Sequence, residues 1–227
     1  APVATPSPTP APVATPSPVS VPPPDLGEAI DLYFVDVESY WARELPAVWG
    51  IELTPVLRKI PYDPDDDGTL PDCEGELAPP ELFEANAFYC QPDDYIAWDE
   101  IGLFAPLFES FGDFAVGLVI AHEYGHAVQA RVGEDGPTIF VEVQADCLAG
   151  AWAGSVGSDP TNPLRVEATD LDAAIGGFLT FADPQGTSAA TEGAHGSAFD
   201  RLGAFSDGLA QGAEACTTYL TDPPTPA

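Results

Sequence analysis

Apolar residues recur at spacings of three and four in several stretches of the chain, and each such stretch predicts a helix. Ile30, Phe34, Val37, Trp41 and Leu45 form the first stripe, with Asp25 as its cap and Pro46 as its stop. The run FAVGLVIAHEYGHAVQARVG (114–133) predicts a helix over 113–132, capped by Asp113 and ended by the breakers Gly133-Glu134-Asp135-Gly136-Pro137. Thr138 then caps a returning helix, IFVEVQADCLAGAWAG. Residues 164–181 have mixed helical spacing, and a last amphipathic helix opens at 193–197 with Phe199, Leu202, Phe205 and Leu209. Between the first two helices the pattern shortens to strands. TPVLRKIPY (54–62), Phe88-Tyr89-Cys90 and Tyr95-Ile96-Ala97-Trp98-Asp99 are the strand pieces, the last two joined by the turn Gln91-Pro92-Asp93-Asp94. Residues 105–112 read as a short helix or turn. The expected class is α+β, mostly helical, with a small sheet.

The chemistry lies on the second helix. His122 and His126 stand at i and i+4, so one helical turn stacks them on the same face. Two neutral imidazoles at that spacing are zinc ligands, and Glu123 beside them is placed to take a proton from water activated by the metal. From His126 to Gly133 the helix rises about 10 Å, and from Pro137 to Glu142 the return covers about 7.5 Å. An antiparallel return therefore brings Glu142 roughly level with His126, as a third ligand. Asp146 follows one turn later on the same face and reads as the carboxylate that accepts the free N–H of a ligating histidine. The exchanged assignment, Asp146 as ligand and Glu142 as support, stays open, because both are oxygen donors of similar length.

Composition frames that site. Residues 1–8 recur identically at 11–18, and 10 of the 26 prolines lie before Asp25. Residues 1–24 are thus expected to be a disordered, polyproline-like stalk, 25–222 one domain, and 223–227 a disordered tail. The net charge of −31 argues against nucleic acid and anionic membranes as partners. No stretch is long and apolar enough for a membrane span, and the domain reads as a monomer. The chain contains no methionine, which points to a processed product, with a signal or anchor lost upstream of the stalk.

Four cysteines allow three pairings, of which Cys73–Cys90 and Cys147–Cys216 are favoured. With the stalk they point to an extracytoplasmic protein, secreted or tethered to the cell surface. Asp63-Pro64-Asp65-Asp66-Asp67-Gly68 with Glu74 at the twelfth place matches a calcium loop, so Ca2+ is a candidate at 63–74. A solvated acidic loop is the simpler reading. A strand just upstream of the metal helix could run along the cleft and hydrogen-bond an extended peptide through its free edge. His195, at a helix start, reads either as a donor to the oxyanion of a tetrahedral intermediate or as a capping or surface histidine.

NAFYCQPDDYIAWD (86–99), HEYGHAVQ (122–129), VEVQADCLAGAWA (141–153) and AHGSAFDRLGAFSDGLAQG (194–212) together resemble the bacterial neutral zinc metallopeptidase family. The resemblance covers about residues 25–220. It implies a zincin-like, mostly helical domain with Zn2+ on His122, His126 and Glu142 and with Glu123 as catalytic acid and base. Glu142-x-x-x-Asp146 is also similar to the arrangement in thermolysin-like enzymes, where the Asp supports a zinc histidine and a later histidine, here His195, stabilises the transition state. The expected activity is hydrolysis of peptide bonds in a peptide or protein substrate. Two alternatives use the same metal: a non-catalytic extracellular binding domain with structural zinc, and an amidase acting on a cell-wall component.

Overall fold

A computed structural model describes residues 25–134, 136, 138–158, 162, 164, 166, 168–179 and 197–220. The expected stalk and tail lie outside them. Helix α1 (Leu26–Trp49) begins where Asp25 accepts the Glu28 N–H at 2.9 Å, and its five predicted stripe residues are all buried. It does not stop at Pro46. The proline sits inside the last turn, and the helix ends at Gly50 (φ +70°), whose N–H donates to the Pro46 carbonyl. Pro46 removes only the hydrogen bond to Ala42, an exposed position where water can serve that carbonyl. Val48 and Trp49 meanwhile pack back onto the core and hold the final turn in place.

Three strands follow, β1 (Arg58–Tyr62), β2 (Ala87–Cys90) and β3 (Tyr95–Asp99), in the order β1-β3-β2. The first is shorter than the 54–62 stretch that predicted it. Strand β3 pairs parallel with β1, Arg58 opposite Tyr95, and antiparallel with β2, Ala87 opposite Trp98. All five β3 residues are buried, as a central strand requires. Tyr62, Phe83, Cys90, Tyr95 and Ala97 form a small second core on this sheet, which the Cys73–Cys90 disulfide closes.

The chain passes through a wide turn (Glu100–Phe104) and α2 (Ala105–Phe111) into the central helix α3 (Asp113–Val132). Gly112, at φ +84°, is the residue that caps α3. One residue joins the two helices, and its positive φ is a conformation glycine adopts without steric cost. Asp113, the expected cap, is instead the first helical residue, and its carboxylate accepts the Tyr33 hydroxyl at 3.1 Å. Every residue of α3 from Phe114 to Gly125 is buried, the mark of an interior helix rather than a surface one.

Helices α4 (Thr138–Ser158) and α5 (Ala168–Phe178) pack against α3, and α6 (Ala198–Gln211) lies on α4. Ser197 and Asp200 form a capping box at the start of α6. Leu202, expected on its apolar face, is 39% exposed; the buried face is Arg201, Ala204 and Phe205. Glycines let α4 and α6 approach closely: a Cβ on Gly208 would lie 2.7 Å from the Ala151 nitrogen. A 3-10 turn (Ala213–Thr218) then carries Cys216 to Cys147. Both favoured disulfides form, leaving no free cysteine. No helix among the described residues is long and apolar enough to cross a membrane.

Candidate metal centre

Helix α3 supplies His122, Glu123 and His126, and α4 returns beside it with Glu142 and Asp146. Gly133 (φ +72°) ends α3 with its N–H on the Gln129 carbonyl, which sets up the reversal. Gly125 sets the distance between the helices, because a Cβ there would fall 3.1 Å from the Ala145 Cα.

The Glu142 carboxylate reaches both imidazoles. Its Oε2 lies 3.2 Å from His122 Nε2 and its Oε1 3.4 Å from His126 Nε2, while the two rings stand perpendicular with centroids 4.9 Å apart. One donor atom from each of the three side chains falls within 4.8 Å of the others. Bonds of about 2.0–2.1 Å at a tetrahedral zinc put neighbouring ligand atoms about 3.4 Å apart, so the trio fits such an ion. Asp146 stands one turn further along α4. Its Oδ1 accepts from His122 Nδ1 at 2.8 Å, the supporting position rather than the ligand position.

Three further residues belong to this centre, and sequence reasoning assigned none of them. Arg201, from α6, grips Asp146 through Nε at 2.8 Å and Nη2 at 2.9 Å. Gln129 offers its Oε1 to His126 Nδ1 at 2.8 Å. Gln144 supports Gln129 in turn. Gln129 could have been found, since it lies three residues after His126 on the same helical face. Arg201 carried a signal too, as one of only six Lys and Arg residues and on the same face of α6 as Phe205.

The electrostatics differ from one carboxylate to the next. Burial pushes the Glu123 carboxyl up and outweighs the opposite pull of His122 and His126, so it holds a proton more readily than a solvated glutamate. Burial also opposes charge on Glu142, but His126 and then His122 hold it well below the usual carboxylate range. For Asp146 burial is overcome first by Arg201 and then by His122, and its pKa is lowered. Burial disfavours charge on His122, yet Asp146 and Glu142 raise it to about 10. Glu142 and Asp146 are thus the two carboxylates held ionised at the centre, each against a cationic partner.

Two cavities meet at Glu123. One, of about 380 Å³, runs along Ala87, Phe88 and Tyr89 beside His126 and Glu142. The other, of about 330 Å³, lies toward His122, Leu103, Val119 and Arg201. Strand β2 is the edge of the sheet nearest the site. Asp99 N–H donates to the Asn86 carbonyl at 2.8 Å, and bonded pairs alternate in an antiparallel ladder. Ala87 and Tyr89 consequently turn their backbone groups to the open edge. The strand immediately upstream of the metal helix, β3, is central and has no free edge.

The acidic loop at 63–74 does not gather its carboxylates. Asp63 accepts the Asp65 N–H and Asp66 the Gly68 N–H, which are turn contacts, and Glu74 is not in a converging group. Among the described residues the second group with metal-ligand spacing is Cys73, Cys90 and Asp93, but its sulfurs are joined in a disulfide. His195 lies outside the described residues.

Known proteins resemble the chain in part. It is 31% identical over 155 aligned positions to the uncharacterized protein YpfJ of Escherichia coli K12, covering 58% of this chain and 53% of that protein. It is 38% identical over 89 positions to the uncharacterized protein Rv2575 of Mycobacterium tuberculosis H37Rv, covering 33% and 30%. The uncharacterized protein Mb2605 of Mycobacterium bovis matches to the same extent. The chain thus spans about half the length of the Escherichia coli relative. No protein-family model matches it, and no solved structure does.

Proposed function

We propose that this chain is a zinc-dependent metallopeptidase, with His122, His126 and Glu142 holding the metal and Glu123 acting as general base and acid. The observation that carries this reading is the convergence of the three donors with Glu123 at the meeting of the two cavities. A zinc ion so held supplies Lewis acidity, polarising the scissile carbonyl and lowering the pKa of water toward 7.

The chain's own residues do the rest. Glu123 takes the proton of the attacking water and passes it to the leaving nitrogen. Asp146, fixed by Arg201, keeps the His122 ring oriented. The open edge of β2 offers Ala87 and Tyr89 backbone groups to an extended peptide, a mode that needs no particular side chain. Structural zinc sites close with four protein ligands, mostly Cys and His. The three-member group with a carboxylate, counted among the described residues, favours catalysis instead. Two disulfides support an oxidising, extracytoplasmic setting.

Metal analysis and a peptide-library digest of the purified chain test the reading. One zinc per chain, with cleavage removed by EDTA and restored by zinc, is the expected result. A chain that takes up no zinc at micromolar concentration contradicts it.

A further inference from the structure

We propose that Gln129 and Gln144 are positioning residues that fix His126 in the tautomer with a bare Nε2. They do so through a relay of one-way hydrogen bonds anchored on the Cys216 and Val141 carbonyls. The relay's purpose rests on the zinc reading; the tautomer itself does not.

The direction follows from which groups can donate. Gln144 Nε2 donates to the Cys216 carbonyl at 3.0 Å and to the Glu134 carboxylate at 2.5 Å. A backbone carbonyl only accepts, so the Gln144 amide must turn its nitrogen that way and its oxygen toward Gln129. Gln129 Nε2 donates to that oxygen at 2.8 Å and to the Val141 carbonyl at 2.7 Å, which fixes the second amide in the same sense. Gln129 therefore meets His126 with its Oε1, at 2.8 Å from Nδ1. An amide oxygen cannot donate, so Nδ1 carries the proton. A neutral imidazole has only one, and Nε2 is left bare toward Glu142.

Burial makes the relay rigid. Gln144 is fully buried and Gln129 is 3% exposed, so turning either amide over would set nitrogen against donors and strand carbonyls away from water. Cys216 is held in turn by its disulfide to Cys147, beside Asp146 in sequence. The two histidines are thus supported differently. His122 leans on a carboxylate neutralised by Arg201, and His126 on a neutral amide that adds no charge next to Glu142.

The test combines imidazole 15N NMR of the metal-free chain, at a pH where the ring is neutral, with zinc affinity by chelator competition. Wild-type His126 is expected as a single Nδ1–H tautomer. Gln144→Leu, which removes a residue that does not touch His126, is expected to give mixed tautomers and zinc binding weaker by about 10–100-fold, as is Gln129→Leu. Asp36→Asn keeps an acceptor for Trp152 but sets an NH2 against the Asn162 amide, remote from the centre, and serves as the stability control: a lower Tm with zinc affinity within about twofold of wild type, a margin small beside the expected loss. A wild-type Nε2–H tautomer overturns the proposal whether or not any variant folds. So does a Gln144→Leu chain that keeps one tautomer and wild-type zinc affinity. Failure of the wild type to bind zinc would remove the metal reading and leave the tautomer result standing.

Discussion

Arg201 and Asp146 form a two-pronged ion pair, Nε to Oδ2 at 2.8 Å and Nη2 to Oδ1 at 2.9 Å, with both side chains almost wholly buried. The Oδ1 that Arg201 holds is also the atom that accepts from His122 Nδ1. Helix α6 is therefore linked to the metal helix through the Asp146 carboxylate on α4.

Removing one member of a buried pair strands the other charge. Arg201→Leu is expected to destabilise the metal-free chain by about 3–5 kcal/mol in urea unfolding. Arg201→Lys should recover only part of this, because an ammonium cannot reproduce the planar fork. A loss under about 1 kcal/mol for Arg201→Leu, the scale of an exposed pair, would contradict the geometry.

Glu142 and Asp146 are four residues apart and chemically alike, yet their substitution should separate them. Glu142→Ala is expected to abolish tight zinc binding. Asp146→Asn keeps an acceptor for His122 and should weaken binding by about 10–100-fold. Chelator competition measures both, and the opposite order would exchange their roles.

Gly208 lies where α6 meets α4, and its Cβ would intrude on the α4 backbone near Ala151. Alanine has the better helix propensity by about 1 kcal/mol. Overpacking typically costs about 1–3 kcal/mol. Gly208→Ala should therefore lower stability in spite of propensity, and a raised Tm would show that the helices have room to part.

Much of this was legible before the structure. The helix breaks at Gly133 and the length of the return fixed the level of Glu142 against His126, because helical rise is constant. The errors came from tertiary contacts. Pro46 stays in α1 because Val48 and Trp49 find the core, and Asp113 yields the cap to Gly112, which joins α2 to α3 at a positive φ. Gln144 and Arg201 act on partners 72 and 55 residues away, which no local period encodes. At 63–74 the calcium-loop spacing did not by itself bring the carboxylates into a converging group, in keeping with the solvated acidic loop as the simpler reading.

The two disulfides close loops of different length, with separations of 69 residues for Cys147–Cys216 and 17 for Cys73–Cys90. Loop-closure entropy predicts losses of about 4 and about 3 kcal/mol when each pair is replaced by alanine. Only the first pair anchors the Cys216 carbonyl that Gln144 uses. Its removal should therefore also weaken zinc binding, whereas loss of Cys73–Cys90 should not. Equal effects on zinc affinity would break that link.

The central claim is that Glu123 moves the proton while three other side chains hold the metal. Peptide hydrolysis by wild type and Glu123→Gln, each carrying one zinc per chain, tests it most directly. Wild type should cleave, and the variant should lose at least about 10²-fold in rate, the lower range for a positioned acid–base group. A zinc-loaded Glu123→Gln chain that cleaves at the wild-type rate would contradict the assignment.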